Sequence, residues 1–161
     1  MKAARSVRQR RWVQFALDSW RFALPLETVE RVVRAAEVTL LPEAPAVVLG
    51  AIDIAGDILP VFDLRKRMAL PPQSLHPSQQ FIIVRSPRRR LVLRIDEALG
   101  LIDESDVRAI EPPPADVPRI RGVLSLADGL VLIQDLERIL EDEEQVALNV
   151  ALRALEAGHG T

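Results

Sequence analysis

No cysteine occurs in the 161 residues, which removes thiolate nucleophiles, disulfides, zinc knuckles and iron–sulfur ligation in one step. Tyrosine is also absent and aromatics make up 4% of the chain, so the stacking platforms that nucleic-acid grooves use are scarce. Only two histidines exist, His76 in a proline-rich stretch and His159 near the end, neither placed as a buried general base would be. An excess of one charge is lacking too: 21 Lys and Arg face 23 Asp and Glu, for a net charge of −2. That balance carries no whole-chain electrostatic footprint for nucleic acid. No apolar run approaches the ~20 residues that cross a bilayer. The basic residues 1–11 lead into alternation from Trp12 rather than into the apolar block of a signal peptide. A soluble protein is expected, with any membrane contact made through a partner. Phosphate-loop, dinucleotide, HExxH, EF-hand and nucleophile-elbow patterns are missing, and the serines fall mostly in turns. The expectation is a protein that is not an enzyme and holds neither cofactor nor metal.

What is present is a large apolar fraction, 48%, enough for one domain or two small lobes sharing a core. The stretch GAIDIAGDILPVFDLR, residues 50–65, reads as a hairpin. Two arms flank a turn at Ala55, Gly56 and Asp57, where Gly56 supplies positive φ. Pro60 cannot donate a ladder hydrogen bond, which makes its place an edge, a bulge or a strand end. Asp63 is placed to cap a short helical turn over residues 64–67.

The pattern recurs 72 positions on, where Gly50 falls on Gly122, Ala55 on Ala127, Asp63 on Asp135 and Leu64 on Leu136. Earlier in the chain Val13 matches Ile82 and Leu24 matches Leu93 at an offset of 69, and Pro42 matches Pro112 at 70. The duplication thus covers most of the chain, and two copies suggest two related lobes rather than a solenoid.

Within the first copy, residues 13–17 and 21–24 form a hairpin about Asp18 and Ser19. Val29, Val32 and Val33 at i, i+3 and i+4 predict a short helix over residues 27–34. A brief strand over 38–41 and a proline connector follow, and residues 69–79 read as the link between halves. In the second copy, strands at 81–85 and 91–95 flank a turn at 86–88, and Leu101 and Ile102 extend a strand. Asp135 is expected to cap a true helix carrying Leu136, Ile139 and Leu140 inward, and a further helix is expected over 145–157 behind the acidic residues 141–144. Gly158 and Gly160 end it. Many short strands in two similar halves imply a pair of small β-barrels.

Two side-chain groups invite chemistry. Asp53 and Asp63 could be read as an acid/base pair of a small hydrolase or isomerase, but they sit where Asp serves turns and caps. Arg88, Arg89 and Arg90, with the N-terminal arginines, are the one basic concentration; they read as a solvated hairpin tip, with a nucleic-acid-binding tandem barrel as the alternative. What remains is surface: strand edges and a groove between lobes that could take a partner's strand or helix.

The order of a strand hairpin, the Val29/Val32/Val33 segment, Leu41-Pro42 with Pro45, then residues 50–65 resembles the CheW-like domain of bacterial chemosensory systems. The resemblance implies a mainly β, CheW-like fold of two SH3-like five-stranded β-barrel subdomains packed around a shared core, with few short helices and a C-terminal helix. In that scheme residues 1–11 are a basic flexible tail, 12–145 the CheW-like domain and 146–161 a C-terminal helical tail. It further implies a non-enzymatic adaptor that couples chemoreceptors to a CheA-type histidine kinase. Its partners would be that kinase and the cytoplasmic tip of a methyl-accepting chemoreceptor, with no nucleic acid and no direct membrane insertion. The place would be the cytoplasm, with membrane association through receptor arrays. Carried over by position, the partner-facing residues are Val29, Gly50, Asp53, Ile54, Ala55 and Gly56. The family's usual turn reads Asn-Leu-Arg-Gly, so the chain departs from it in lacking the arginine expected at Ala55. Loss of that planar donor leaves a diverged interaction module with a different partner as the alternative.

Overall fold

The duplication governs the strand pairing, and it does so by exchange. The computed structural model describes residues 9–117 and 119–159. In chain order the elements are β1 (Arg11–Leu17), β2 (Trp20–Pro25), β3 (Val29–Arg34), β4 (Val48–Ile54), β5 (Asp57–Asp63) and α1 (Leu64–Arg67). The second copy supplies β6 (Gln80–Arg85), β7 (Arg90–Ile95), β8 (Glu97–Asp103), β9 (Val107–Glu111), β10 (Ile120–Leu126), β11 (Gly129–Gln134) and α2 (Asp142–His159).

One sheet has five strands in the order β3-β6-β7-β5-β4, and the other has six in the order β8-β1-β2-β11-β10-β9. The first hairpin of each copy therefore sits in the sheet built by the other copy. Parallel pairing makes the join: β5 lies beside β7 and β11 beside β2. Val61 opposite Val92 in one lobe repeats as Ile133 opposite Ala23 in the other. The residues matched at an offset of 69 are register partners in both hairpins, Val13 with Leu24 and Ile82 with Leu93. Even a loop bond repeats: the Asp63 N–H donates to the Val47 carbonyl and the Asp135 N–H to the Arg119 carbonyl.

The expectation of two similar β subdomains on a shared core holds, and the lobes differ in one strand. Where the six-stranded lobe has β9, the five-stranded lobe keeps a single bridge between Thr39 and Ala51, so the strand expected at 38–41 shrinks to one residue. The sheets are not closed by a ladder; β8 and β9 are the edges of one, β3 and β4 of the other. The link at 69–79 joins β5 to β6 inside the five-stranded lobe, rather than running between lobes. The crossings fall instead between β2 and β3 and at Asp96.

Three buried clusters fill this arrangement. Each lobe has a small one of its own, Trp12, Ala23, Ile102, Leu124, Val131 and Ile133 in one, Leu59, Val61, Phe81, Ile83 and Val92 in the other. A larger cluster lies between them and draws Phe15, Phe22 and Leu132 from the six-stranded lobe, Phe62, Leu91 and Leu93 from the five-stranded lobe, and Leu148 and Ala151 from α2.

The helix expected over 27–34 is not formed. Leu26–Thr28 make a 3-10 turn and the valines lie on β3, paired with β6. A bulge between Val29 and Arg31 shifts the register and flips the alternation, so Val29 and Val32 face the shared core together. An i, i+3 spacing thereby arises in a strand, and β-branched side chains favour that outcome. The Asp135 helix is likewise reduced to a 3-10 turn, Leu136–Arg138, although Asp135 does cap it by accepting from the Glu137 N–H. Asp63 caps α1 in the same way, at 3.0 Å from the Arg65 nitrogen. Helix α2 starts earlier than expected, at Asp142, and Gly158 lies within it. Gly160 lies outside the described residues, as do residues 1–8 of the basic tail; Arg10 bonds Glu104 at 3.2 Å and Arg11 opens β1.

The lobes are fastened by Arg65. Its side chain is 3% exposed and donates to Asp18 in the β1–β2 turn at 2.8 Å, to Asp96 at the second crossing at 2.7 Å, and to the Pro71 carbonyl at 3.0 Å. Asp96 also accepts from the Asp18 N–H at 2.7 Å. Burial disfavours the Arg65 charge, but the two carboxylates outweigh it and raise its affinity for the proton above the ordinary value. Arg94, equally buried, donates to Gln79 at 3.1 Å and to the Gln73 carbonyl, and so pins the link.

Replacing Arg65 by Met keeps the volume and strands two carboxylates, so Arg65→Met is expected to lower unfolding stability by about 2–3 kcal/mol in urea titration, somewhat under the cost at a fully buried pair. A second expectation concerns α2, which Arg67 holds through Glu144 at 2.8 Å. Burial pushes the Glu144 carboxyl up, and Arg67 with the Glu141 N–H more than offsets this, leaving it below the usual carboxylate range. A lowered folded value contributes stability above the unfolded one and loses it as pH falls through the folded one. Wild-type thermal stability should therefore fall more steeply below about pH 4.5 than that of Glu144→Gln.

Candidate partner-binding surface

The β4–β5 turn is a two-residue loop, because Ile54 pairs with Asp57. Ala55 and Gly56 both have positive φ, 52° and 93°, the primed turn that suits strand twist. Asp53 stabilises it by accepting from the Gly56 N–H at 2.7 Å. The duplicate turn differs: among its residues Gly129 alone has positive φ. Ala55, Gly56 and Asp53 are exposed, whereas Ile54 leans on the core of the five-stranded lobe.

Gly50 is not on the surface. A Cβ there would lie 2.3 Å from the Thr39 carbonyl oxygen, so glycine is what allows the segment at 39 to pass over β4. Gly122 repeats this more loosely, with 3.1 Å to the Glu111 oxygen. Val29 sits half-buried at the first crossing, packed on the shared core.

Arg90 joins these places. Its guanidinium grips Glu30 on β3 through two bonds of 2.8 and 3.0 Å and reaches Asp57, at the foot of the turn, at 2.8 Å. The start of β3, next to Val29, and the turn next to Gly56 thus lie within one side chain's span. The bidentate contact with Glu30 raises Arg90 above its ordinary value and holds Glu30 below its own.

Of the six positions expected to face a partner, the structure brings Val29, Asp53, Ile54, Ala55 and Gly56 to one end of the five-stranded lobe and puts Gly50 underneath. The sequence reading missed Glu30, Asp57 and the bridging role of Arg90, since pairing between β3 and β7 residues depends on tertiary placement. The other tip arginines are engaged as well: Arg89 bonds Gln145 at 3.2 Å and Asn149, and Arg88 lies 3.8 Å from Asp142. The basic tip therefore anchors α2.

The carboxylate pair is not assembled. Asp53 is opposite Ile58, and five residues of strand separate that row from Asp63, roughly 16 Å at the usual rise. His76 shares a 2.7 Å hydrogen bond with Ser78, and its Nδ1 accepts from the Ser78 N–H. Among the described residues no cluster of His, Asp and Glu is arranged to hold a metal ion, and no helix is long and apolar enough to cross a membrane.

Opposite signs are expected at two neighbouring positions. Ala55→Asn, a residue at ease with positive φ, should raise the thermal midpoint, by up to about 1 kcal/mol of stability. Gly50→Ala should lower stability by about 1–3 kcal/mol, read on the same instrument.

The family model for the CheW-like domain matches residues 11–144. A probable chemotaxis protein CheW of Rhizobium etli is 28% identical over 153 residues, covering 90% of this chain and 97% of its own. The chemotaxis protein CheW of Rhizobium meliloti is 29% identical over 145 residues, covering 86% and 92%. Among solved structures, the scaffolding protein TtCheW of Thermoanaerobacter tengcongensis superposes with a TM-score of 0.75 at 27% identity, over 85% of this chain and 96% of that one.

Proposed function

Because the chain belongs to the CheW-like domain family, whose members are non-enzymatic chemotaxis scaffolds, we propose that it couples chemoreceptors to a CheA-type histidine kinase. The observation that carries this reading is a single family match spanning both lobes, on a fold whose surfaces offer strand edges and turns. The adaptor works in the cytoplasm and reaches the membrane through the receptors it binds. Its kinase partner is engaged through the lobes, and the receptor tip contacts the end of the five-stranded lobe.

At that end Asp53, Ile54, Ala55 and Gly56 present the turn, Val29 marks the seam between lobes, and Gly50 acts by letting the segment at 39 cross beneath. Without a guanidinium at position 55 the tip is small and uncharged, flanked by Asp53 and Asp57. This composition suits a receptor surface that contributes its own donors.

The protein should sediment with receptor-bearing membranes of its organism when the cognate receptor or kinase is present and stay in the supernatant otherwise. Ala55→Lys sets a cation against the donors that the receptor surface contributes and should weaken receptor binding by about tenfold, with no loss of thermal stability. Failure to bind every receptor and every CheA-type kinase of that organism would overturn the assignment.

A further inference from the structure

Helix α2 has two faces of different use. Leu148, Ala151, Leu152 and Leu155 pack on the shared core, and Gln145 and Asn149 receive Arg89. On the diametrically opposite side stand Glu143, Val146, Val150, Arg153 and Ala157, all exposed, with Val146 at 63% and Val150 at 58%. Their spacing is three, four, three, four, the seam of a helix that packs against another helix. The protein's own core has no need of this seam.

We infer that the outer face of α2 is a self-association surface that pairs antiparallel with α2 of a second copy of this chain. The charges select the occupant and its direction. Glu143 and Arg153 have no side-chain partner among the described residues. An antiparallel pair with its two-fold axis beside position 148 sets Val146 against Val150 of the second copy, twice, and flanks these layers with Glu143 against Arg153, also twice. A parallel pair would oppose Glu143 to Glu143 and Arg153 to Arg153, and sliding the antiparallel pair by one layer would set Arg153 against Val150. One arrangement alone matches apolar with apolar and acid with base across these four layers, with Ala157 beyond them. A different protein could supply a complementary stripe, but the stripe on α2 is already complementary to itself. Four layers on a short helix make a small contact, so the association is weak and concentration-dependent.

Sedimentation equilibrium of the full chain between about 10 µM and 1 mM tests this. The mass should rise with concentration from 17.9 kDa toward twice that value. Glu143→Arg or Arg153→Glu alone turns two attractions into two repulsions and should raise the dissociation constant by about tenfold or more. The double variant Glu143→Arg/Arg153→Glu should restore wild-type association. Since the chain has no cysteine, orientation can be read separately by mixing Val146→Cys chains with Val150→Cys chains: oxidation should link unlike chains in preference to like ones. A monomer throughout the range overturns the proposal. So does a dimer that both reversals leave unchanged, one that the double variant fails to restore, or cross-linking of like chains.

Discussion

The joint at Arg65 ties the lobes by charge across the seam that the shared core closes by packing. A guanidinium buried between lobes has to find partners or forfeit the free energy of its charge, and it finds them on both sides of the seam. Asp18 belongs to the hairpin contributed by the first copy to the six-stranded lobe, and Asp96 to the crossing that leaves the five-stranded lobe. Through the Pro71 carbonyl the same side chain also holds the start of the link. Its duplicate position is Glu137, which faces solvent and pairs with Arg121. The joint is therefore one-sided, and this asymmetry adds to the extra strand β9 and the different hairpin turn in separating the copies.

Repetition and divergence divide along burial. Where backbone passes close to backbone, as under Gly50 and Gly122, the two copies agree, because an added Cβ would meet a carbonyl oxygen at 2.3 Å in one and 3.1 Å in the other. Where the chain meets solvent they part: one hairpin turns through Ala55 and Gly56 with positive φ at both residues, and the other has its positive φ at Gly129. The exposed turn is thus free to change while the crossing beneath it is not. Arg90, Glu30 and Asp57 keep the variable turn in a constant place.

Much of this was legible in the sequence, for identifiable reasons. The match of Val13 with Ile82 and of Leu24 with Leu93 reflects one register kept in both hairpins, Val13 opposite Leu24 and Ile82 opposite Leu93, and strand register follows the two-residue period that apolar spacing exposes. The exchange of hairpins was not legible, since a repeat fixes which segments are alike and leaves open which of them pair. Val29, Val32 and Val33 misled because a bulge imitates helical spacing. The segment after Asp135 misled because its cap and apolar positions suit a 3-10 turn as well as a helix. At the candidate surface the turn residues could be picked out by position, but Arg90 required knowing that β3, β5 and β7 share one sheet.

Hairpin exchange also orders events in time. All the strands of the five-stranded lobe lie between Val29 and Ile95, so its ladder can close on a chain still being made. The six-stranded lobe cannot do the same: β2 was synthesised early but waits for β11, which ends at Gln134. Until then the first hairpin has at most its edge strand β8, complete at Asp103, and lacks its parallel neighbour. A ribosome carrying this protein thus holds one fully paired sheet and one hairpin short of its parallel neighbour, and the last third of the sequence supplies that neighbour and closes the shared core.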